Sequence, residues 1–587
     1  MRNRKAAAAA LAVALLATLG SVSEAAPTPP PVREVGYLTV RDGTELRYTV
    51  DRPWGRGRFP VAMNYDGYCA GTGAPECNDG ELSQLLLAAG YAVVGVSVRG
   101  TGCSSGTFDF RSKEERTDGA AAVEWAASQP WSNGRVGLFG DSFPGLTQPG
   151  IAALRPKGLA AIAPFQIVDD VYRDVAYPGG IQNTEFGAFW GLANQPASDV
   201  SNPAIAAQQG DLQCGANWAG HAPTNLRTNI FVQALQHPSD DAYWQAKRVG
   251  ALAGRIRVPV FGCVSWQDDE VGSRPGWSFF RTVDASRLWM LVTSGYHGMC
   301  DRWERGRING QVVRFFDRYV KGIRNGWERT PRTQVWHEAA GVGGVSVPGW
   351  ETRSGAWPPA TSPRRLFLRD GGVLARDPGR GAAAGAAYRA PAPSAATEDG
   401  VVLGQRHLLW QRQVPPGGAV AWTTPALARD LEHFGPAVAD LWLTSTGTDT
   451  DLQVTITEVR PDGQETYVAR GWLRASHRRP GGGPLVPGAA TRVRVEVFPF
   501  NHVFRARSSL RVVVDTPSQT GGWNFAVLPT PVTNVILTDA AHPSALVLGV
   551  LPGGRAMRPL PACGSLLNQP CRPNAYPVPP GRLDLPG

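Results

Sequence analysis

Short apolar runs alternate with amphipathic stretches over the first part of the chain. Continuous apolar runs occupy residues 59–64, 91–98 and 136–139, and residues 113–128 between them have the spacing of an amphipathic helix. Strands that are apolar at every position are buried on both faces, so this alternation predicts a mostly parallel sheet covered by helices. Three later runs predict that the sheet continues, at residues 159–164, 258–264 and 288–293.

The pattern changes after residue 166. Residues 167–251 are rich in Trp, Asn, Gln and Ala and contain no strand-like run. Insertions at strand ends of an open sheet overhang the crevice at the carboxyl ends of the strands, where ligands bind. We therefore expect a helical cap over residues 167–251, inserted into a sheet domain formed by residues 27–166 and 252–335.

A second change follows residue 335, where Pro- and Gly-rich loops separate short strands. Apolar and polar residues alternate in residues 452–456 and 493–497, which is the period of a strand with one buried face. Residues 381–396 are rich in Ala and Gly and have the composition of a linker. Residues 336–587 are therefore predicted to form an all-β sandwich of the jelly-roll type.

The first 26 residues have the pattern of a secretory signal peptide. A basic start precedes an apolar stretch at residues 6–19 and a small-residue exit at residues 23–25. The apolar stretch is short for a membrane span and a Pro-rich segment follows it, so a stable membrane anchor is the weaker alternative. We expect a secreted, extracellular protein, or one held in a comparable exported compartment.

The charge of the chain says little about its partners. The formal net charge is +9, and loss of the predicted signal peptide, with three basic residues and one acidic residue, would leave +7. The arginines are scattered and no nucleic-acid-binding module accompanies them, so we expect a solvated basic surface and no nucleic-acid partner. The sequence carries no signal for the oligomeric state.

Eight cysteines follow the predicted signal peptide. An even number in an oxidising compartment favours disulfides, and short loops make Cys69 with Cys77 and Cys563 with Cys571 the natural pairs. The spacings typical of zinc sites do not occur, so no metal and no cofactor are expected.

Residues 140–145, Gly-Asp-Ser-Phe-Pro-Gly, connect an apolar strand to a helical stretch. This places Ser142 on a tight strand-to-helix turn between small residues, which is the geometry of an exposed nucleophile. The N–H of Phe143 at the start of the helix could receive a developing oxyanion. An ordinary turn can show the same pattern, so the assignment needs partners elsewhere in the chain.

A serine nucleophile needs a histidine base and a carboxylate that orients it. His297 follows the strand-like run at residues 288–293, and Asp268 follows the run before it. The chain order Ser, Asp, His is the order of α/β-hydrolases. A disulfide between Cys263 and Cys300 would tie the acid strand to the histidine loop.

Several further segments resemble one family. They are Arg99-Gly100 with Ser104, Gly106 and Phe108; Tyr65-Asp66; residues 170–173; residues 449–451 and 461–463; and residues 501–504. In these segments the chain resembles the cocaine esterase and X-prolyl dipeptidyl-peptidase family of α/β-hydrolases. The resemblance implies an α/β-hydrolase sheet with an inserted helical cap, followed by an all-β jelly-roll domain.

The resemblance also implies a site. Ser142 would be the nucleophile, His297 the general base and then acid, and Asp268 the orienting carboxylate, while the Tyr65 hydroxyl would assist the Phe143 N–H in the oxyanion hole. Phe143 stands where the family usually has Tyr, and Asn64 stands before Tyr65 where Pro is frequent. Neither departure removes a hydrogen-bond donor.

The substrate would be a small ester or amide, or a short peptide. We expect an acyl ester or amide hydrolase first and an X-Pro dipeptidyl-peptidase second, with an α-amino-acid ester hydrolase as a further alternative. Glu270, Asp169 and Asp170 could bind a substrate amine, although a role as surface acids explains them equally well. A non-catalytic carbohydrate-binding protein is the weakest alternative, since it would leave the catalytic set unused.

Overall fold

The computed structural model describes residues 30–72, 80–184, 190–268, 274, 276–298, 300, 306–342, 345–379, 385–393, 397–398, 408–409, 416–518 and 523–585. These residues form an α/β sheet domain with a helical insertion, followed by a C-terminal all-β domain. The predicted fold class is confirmed at this level.

The first domain is built on a ten-stranded sheet. The strands of this part of the chain are β1 (Val32–Thr39), β2 (Glu45–Arg52), β3 (Phe59–Asp66), β4 (Ala92–Ser97), β5 (Ser132–Asp141), β6 (Leu159–Phe165), β7 (Val260–Ser265), β8 (Leu288–Thr293), β9 (Thr333–His337), β10 (Ala340–Val342), β11 (Val345–Val347) and β12 (Trp350–Ser354). Their order in the sheet is β1-β2-β4-β3-β5-β6-β7-β8-β9-β12, and β10 pairs with β11 as a separate hairpin. The strands from β4 to β9 run parallel, so the carboxyl ends of β5, β6, β7 and β8 meet at one edge.

Helices cover both faces of this sheet, as the apolar strands predict. The helices are α1 (Gly80–Ala88), α2 (Lys113–Ser128), α3 (Phe143–Leu154), α4 (Gln195–Gln208), α5 (Leu212–Thr228), α6 (Ile230–Gln236), α7 (Ala242–Ala246), α8 (Gly250–Ala253), α9 (Trp277–Thr282) and α10 (Arg307–Phe316). Neighbouring residues of one strand serve opposite faces: Leu138 packs in the apolar cluster that contains Ile151 of α3, and Phe139 packs in the cluster that contains Val312 of α10. The sheet is therefore sandwiched between two apolar layers.

The expected cap contains helices α4 to α8, which follow one another between β6 and β7. A disulfide between Cys103 and Cys214 fixes α5 to the loop after β4. His221 of α5 also contacts the Ser104 carbonyl through Nδ1, at 2.9 Å. The helical insertion is thus anchored on the sheet domain covalently and by hydrogen bonds.

The C-terminal domain consists of strands that pair mostly antiparallel. They are β13 (Ser362–Arg369), β14 (Val373–Ala375), β15 (Gly385–Ala390), β16 (Thr397–Glu398), β17 (Leu408–Leu409), β18 (Val420–Thr423), β19 (Ala426–Leu427), β20 (Leu431–Ser445), β21 (Asp451–Val459), β22 (Gln464–Arg474), β23 (Thr491–Phe504), β24 (Ser509–Asp515), β25 (Val532–Leu537), β26 (Ala545–Val550), β27 (Cys571–Pro573) and β28 (Arg582–Leu583). The main sheet has the order β15-β25-β20-β26-β13-β14-β18-β24-β21-β22-β27, and β23 pairs with β20. Among the described pairings of this sheet only the single-residue bridge between β14 and β18 is parallel, and outside the sheet β19 pairs with β28 in parallel.

Two expectations about this region need correction. The sheet domain does not end at residue 335, because β9 runs through that position and β12 adds a further strand to the same sheet. Residues 385–390 of the expected linker form β15, which pairs with β25 along its whole length. Backbone hydrogen bonds to a neighbouring strand here outweigh the weak strand preference of Ala and Gly.

Three disulfides are present among the described residues. The pairs Cys263–Cys300 and Cys563–Cys571 confirm two of the predictions. Cys69 is disulfide-bonded, but Cys77, its expected partner, lies outside the described residues. None of the helices in the described ranges is both long enough and apolar enough to cross a membrane.

Candidate active site

Ser142 lies on a strained turn between β5 and α3. Its φ of 63° and ψ of −126° are uncommon for a residue with a side chain, and the helix begins at the next residue. A Cβ at position 140 would lie 2.5 Å from Pro144 Cβ, and one at position 145 would lie 2.3 Å from the Phe165 carbonyl oxygen. The two glycines therefore allow the helix to start against the sheet, as the sequence predicts for a nucleophile turn.

Asp268 and His297 are in direct contact. Asp268 follows β7 and is fully buried, and His297 follows β8 with 12% of its side chain exposed. The His297 Nδ1–H donates to Asp268 Oδ2 at 2.8 Å. This bond selects the tautomer in which Nε2 is the acceptor, as a general base requires.

The three residues of the expected triad come from one edge of the sheet. β5, β7 and β8 are parallel strands of this sheet, and Ser142, Asp268 and His297 each follow the carboxyl end of one of them. Cys300, three residues after His297, is bonded to Cys263 of β7. The disulfide therefore ties the histidine loop to the strand that precedes the acid.

Tyr65 does not occupy the position expected of an oxyanion donor. Its hydroxyl donates to the backbone carbonyl of Glu115 at 3.1 Å, and the ring lies between β3 and the helical layer beside Gly119. Burial, with smaller contributions from the nearby acids, raises the pKa of this phenol well above its usual value. The single proton of Tyr65 is therefore engaged within the core.

Tyr68, three residues after Tyr65, lies beside the nucleophile turn instead. Its ring meets that of Phe143 edge-on at 5.5 Å between centroids, and its hydroxyl accepts from Trp190 Nε1 at 2.9 Å. A Cβ at Gly67 would lie 2.2 Å from the Phe143 ring, so only glycine lets this loop approach the nucleophile turn. The Gly67-Tyr68 pair just after a strand is the sequence signal that could have identified Tyr68.

Asp66 fixes the loop that carries Tyr68. Its Oδ1 accepts from the backbone N–H of Tyr68 at 2.9 Å and of Ala70 at 3.1 Å. Burial raises the pKa of this carboxyl to about 6, although these hydrogen bonds oppose the shift. The Asp of the Tyr65-Asp66 motif thus acts on loop shape.

Phe143 is the centre of an aromatic wall beside Ser142. Besides Tyr68, its ring is surrounded at 5.5–5.9 Å by Phe108, Phe110 and Trp190. Trp190 belongs to the cap segment, so the cap helps to form this wall. The backbone N–H of Phe143 lies in the first turn of α3, where such groups have no acceptor within the helix, and Pro144 after it has no N–H.

The acids expected to bind an amine have other partners. Asp169 is buried and accepts from the backbone N–H of Gly250, and Asp170 forms an ion pair with Arg248 at 2.6 Å. Both carboxylates therefore attach the start of the cap to its end. Glu270 lies outside the described residues.

The fold and the nucleophile turn at Ser142 define the class of this protein as an α/β-hydrolase. Residues 42–299 match the sequence model of the X-Pro dipeptidyl-peptidase (S15 family), and residues 325–547 match that of the X-Pro dipeptidyl-peptidase C-terminal non-catalytic domain. The chain belongs to this family, which includes the cocaine esterases, and it is a serine hydrolase.

Individual relatives are distant but cover nearly the whole chain. The cocaine esterase of Rhodococcus sp. is 24% identical over 88% of this chain and 97% of its own length. The fold is similar to that of a CocE/NonD family hydrolase from Staphylococcus aureus, with a TM-score of 0.71, 23% identity, and coverage of 89% of this chain and 94% of that one. It is also similar to an aminopeptidase from a Thaumarchaeota archaeon, with a TM-score of 0.69, 18% identity, and coverage of 91% and 98%.

Proposed function

We propose that this serine hydrolase is an exported enzyme that cleaves ester or amide bonds of small acyl compounds through a Ser142–His297–Asp268 triad. The observation that carries the proposal is the 2.8 Å hydrogen bond from His297 Nδ1 to the buried Asp268 carboxylate. An imidazole held in this way presents Nε2 as a base, and the imidazolium that forms is stabilised by the adjacent carboxylate.

The reaction proceeds in two halves. Ser142 Oγ attacks the substrate carbonyl carbon as its proton passes to His297 Nε2, and the carbonyl oxygen becomes a tetrahedral oxyanion. The bond to the leaving group then breaks, and that group takes the proton from His297, which leaves an acyl-enzyme. Water, deprotonated by His297, attacks the acyl carbon, and collapse of the second tetrahedral intermediate restores Ser142 and releases the acid.

The oxyanion is stabilised by the Phe143 N–H and, in place of Tyr65, by the Tyr68 hydroxyl. Tyr68 lies beside Phe143, and its oxygen accepts from Trp190 Nε1, which is compatible with donation of its own proton to a substrate oxygen because a phenol both accepts and donates. A phenol aimed at a developing negative charge in a site shielded from water is an effective stabilising group.

Substitution of each tyrosine by phenylalanine tests which of the two hydroxyls stabilises the oxyanion. We expect Tyr68→Phe to lower kcat by about 10²- to 10³-fold, because it removes one oxyanion donor and leaves the aromatic ring in place. Tyr65→Phe, the matched control, should lower thermal stability slightly and leave kcat nearly unchanged, because its hydroxyl bonds a core carbonyl. Steady-state kinetics on a p-nitrophenyl ester measure both, and a larger loss of kcat in Tyr65→Phe than in Tyr68→Phe would reverse the assignment.

The surroundings of Ser142 favour an apolar acyl group over a charged amine. The aromatic wall around Phe143 suits apolar acyl groups. A substrate ammonium needs a carboxylate; among the predicted acids Asp169 and Asp170 are paired with groups of the cap, and Glu270 lies outside the described residues. X-Pro dipeptidyl-peptidase activity is the second candidate, because residues 42–299 match the family of that name.

A parallel assay decides between the candidates. The purified chain is tested with p-nitrophenyl esters, with amino-acid esters that carry an amine, and with Gly-Pro and Ala-Pro p-nitroanilides, each beside the Ser142→Ala variant. We expect the highest kcat/KM on the p-nitrophenyl esters. Efficient anilide cleavage with little ester cleavage would establish the peptidase instead.

Export is the remaining part of the proposal. The disulfides Cys103–Cys214, Cys263–Cys300 and Cys563–Cys571 support it, because such bonds persist in oxidising compartments. The predicted signal peptide at residues 1–26 supports it from the sequence.

A further inference from the structure

The loop around His297 contains two glycines, which can adopt many backbone conformations. The conformation of the loop therefore depends on contacts with other segments of the chain. Gly295 and Gly298 stand on either side of His297 with φ of 124° and 79°. Glycine reaches these values without strain, and other residues rarely adopt them. A histidine between two such residues can take many positions unless the neighbouring backbone groups are held.

Two buried glutamines hold those backbone groups. The Gln267 Oε1 atom accepts from the Gly295 N–H at 3.0 Å, and the Gln166 Oε1 atom accepts from the Gly298 N–H at 2.6 Å. Gln166 is fully buried and Gln267 is 2% exposed. The histidine loop is thus fastened on both sides of His297, by side chains from two different strand ends.

Gln166 also reaches the acid. Its Nε2 donates to Ser265 Oγ at 2.9 Å and lies 3.4 Å from Asp268 Oδ2 and 3.3 Å from the Tyr296 carbonyl. Gln166 itself has a φ of 45°, which is unusual for a residue with a side chain. A single amide therefore spans the acid strand, the acid and the histidine loop from a strained backbone position at the end of β6.

Gln267 links the same loop to the C-terminal domain. Its Nε2 donates to the Val468 carbonyl of β22 at 3.2 Å, and Asn568 Nδ2 donates to its backbone carbonyl at 2.7 Å. The preceding residue, Trp266, packs edge-on against Phe434 of β20 at 5.5 Å. The all-β domain therefore holds the residue that immediately precedes Asp268.

We propose that Gln166 and Gln267 are positioning residues that clamp the His297 loop against Asp268, and that the C-terminal domain helps to position His297 through Gln267. The inference rests on the proposed triad and extends it. Neither glutamine touches the reacting atoms; each acts through the placement of His297. Glutamine suits this task because its amide accepts and donates hydrogen bonds at the same end of the side chain.

Three variants of similar shape test the clamp. Gln166→Met and Gln267→Met remove the amide and keep the volume, and Gln453→Met is the matched control. Gln453 is equally buried, and it donates to Asp515 and accepts from Trp472, both of which belong to the C-terminal domain. Steady-state kinetics on a p-nitrophenyl ester, the rate of fluorophosphonate labelling of Ser142 and the melting temperature are measured for all three.

We expect kcat and the labelling rate to fall together by about 10²-fold in Gln166→Met and Gln267→Met, with KM little changed, because a small displacement of the base is costly. Gln453→Met should keep the wild-type kcat although its melting temperature falls to a similar degree. The clamp is excluded if both variants keep the kcat of the control. It is also excluded if the activity of each variant falls only in proportion to its loss of folded protein.

Hydrogen exchange on the unmodified protein gives a second test that does not depend on folding of a variant. The Gly295 and Gly298 amides should exchange slowly, since each is bonded to a buried side chain. Exchange as fast as that of an exposed loop would overturn the proposal. An active Ser142→Ala variant would instead overturn the proposed function, whereas an inactive one with fully active glutamine variants would remove only the clamp.

Discussion

Replacement of Ser142 by alanine is expected to lower ester turnover by about 10⁶-fold, because the acyl-enzyme can no longer form and the other members of a triad act only through the nucleophile. The change removes one oxygen atom from the turn, so the melting temperature should stay close to that of the parent protein. Initial rates on a p-nitrophenyl ester measure the effect, with the protein concentration raised to detect residual hydrolysis.

A matched control for this variant lies in the C-terminal domain. Ser544 is buried, donates to the Leu537 carbonyl and accepts from the Trp442 N–H, so Ser544→Ala also removes a buried hydroxyl. We expect it to cost stability and to leave kcat unchanged. Comparable activity in Ser142→Ala and the parent would show that the nucleophile lies elsewhere.

Asp268→Asn should lower kcat by about 10⁴-fold with little change in the fold. The asparagine fits the same space, but it cannot stabilise the imidazolium, and its amide favours the histidine tautomer that has no acceptor at Nε2. The kcat on a p-nitrophenyl ester, measured at several pH values, gives the size of the loss.

Asp440→Asn is the control for this substitution. Asp440 is also a buried carboxylate, and it accepts from Arg492 in the C-terminal domain. Its substitution should reduce stability and spare kcat. If Asp268→Asn lost no more activity than this control, the carboxylate that orients His297 would have to be a different residue.

The parts of the site that are local in sequence were predictable. Ser142 could be recognised because a strand, two small residues and a helix follow one another within about 20 residues, and each feature has a steric reason in the structure. Asp268 and His297 could be placed because parallel strands bring their carboxyl ends to one edge. The Asp268–His297 contact is the direct result of this topology.

The parts that depend on side-chain direction were not predictable. Tyr65 is the penultimate residue of β3 and Tyr68 lies two residues beyond its end, and only the path of the backbone decides which of them enters the core and which faces Phe143. Asp169 and Asp170 were expected as surface acids or ligands, whereas partners some 80 residues away make them structural. The two glutamines gave no sequence signal, because a buried amide is revealed only by what it bonds.

In the C-terminal domain, too, the sequence pattern predicts the burial of side chains in one strand and fails in another. The alternation in residues 493–497 was informative, since the apolar residues of β23 are buried and the charged residues between them are not. In β21 the pattern misleads, because Gln453 and Thr455 are as buried as their apolar neighbours. Gln453 tolerates this position by bonding Asp515 and Trp472, which the strand's own sequence does not show.

Whether Ser142 is the nucleophile is tested most directly by covalent labelling of the folded wild-type protein with a fluorophosphonate, followed by mass spectrometry of the intact chain and its peptides. A triad-activated serine predicts one phosphonyl group per chain, located on Ser142, with loss of esterase activity in proportion to labelling. Labelling of a different residue, or an active protein that resists the reagent, would show that Ser142 is not the nucleophile.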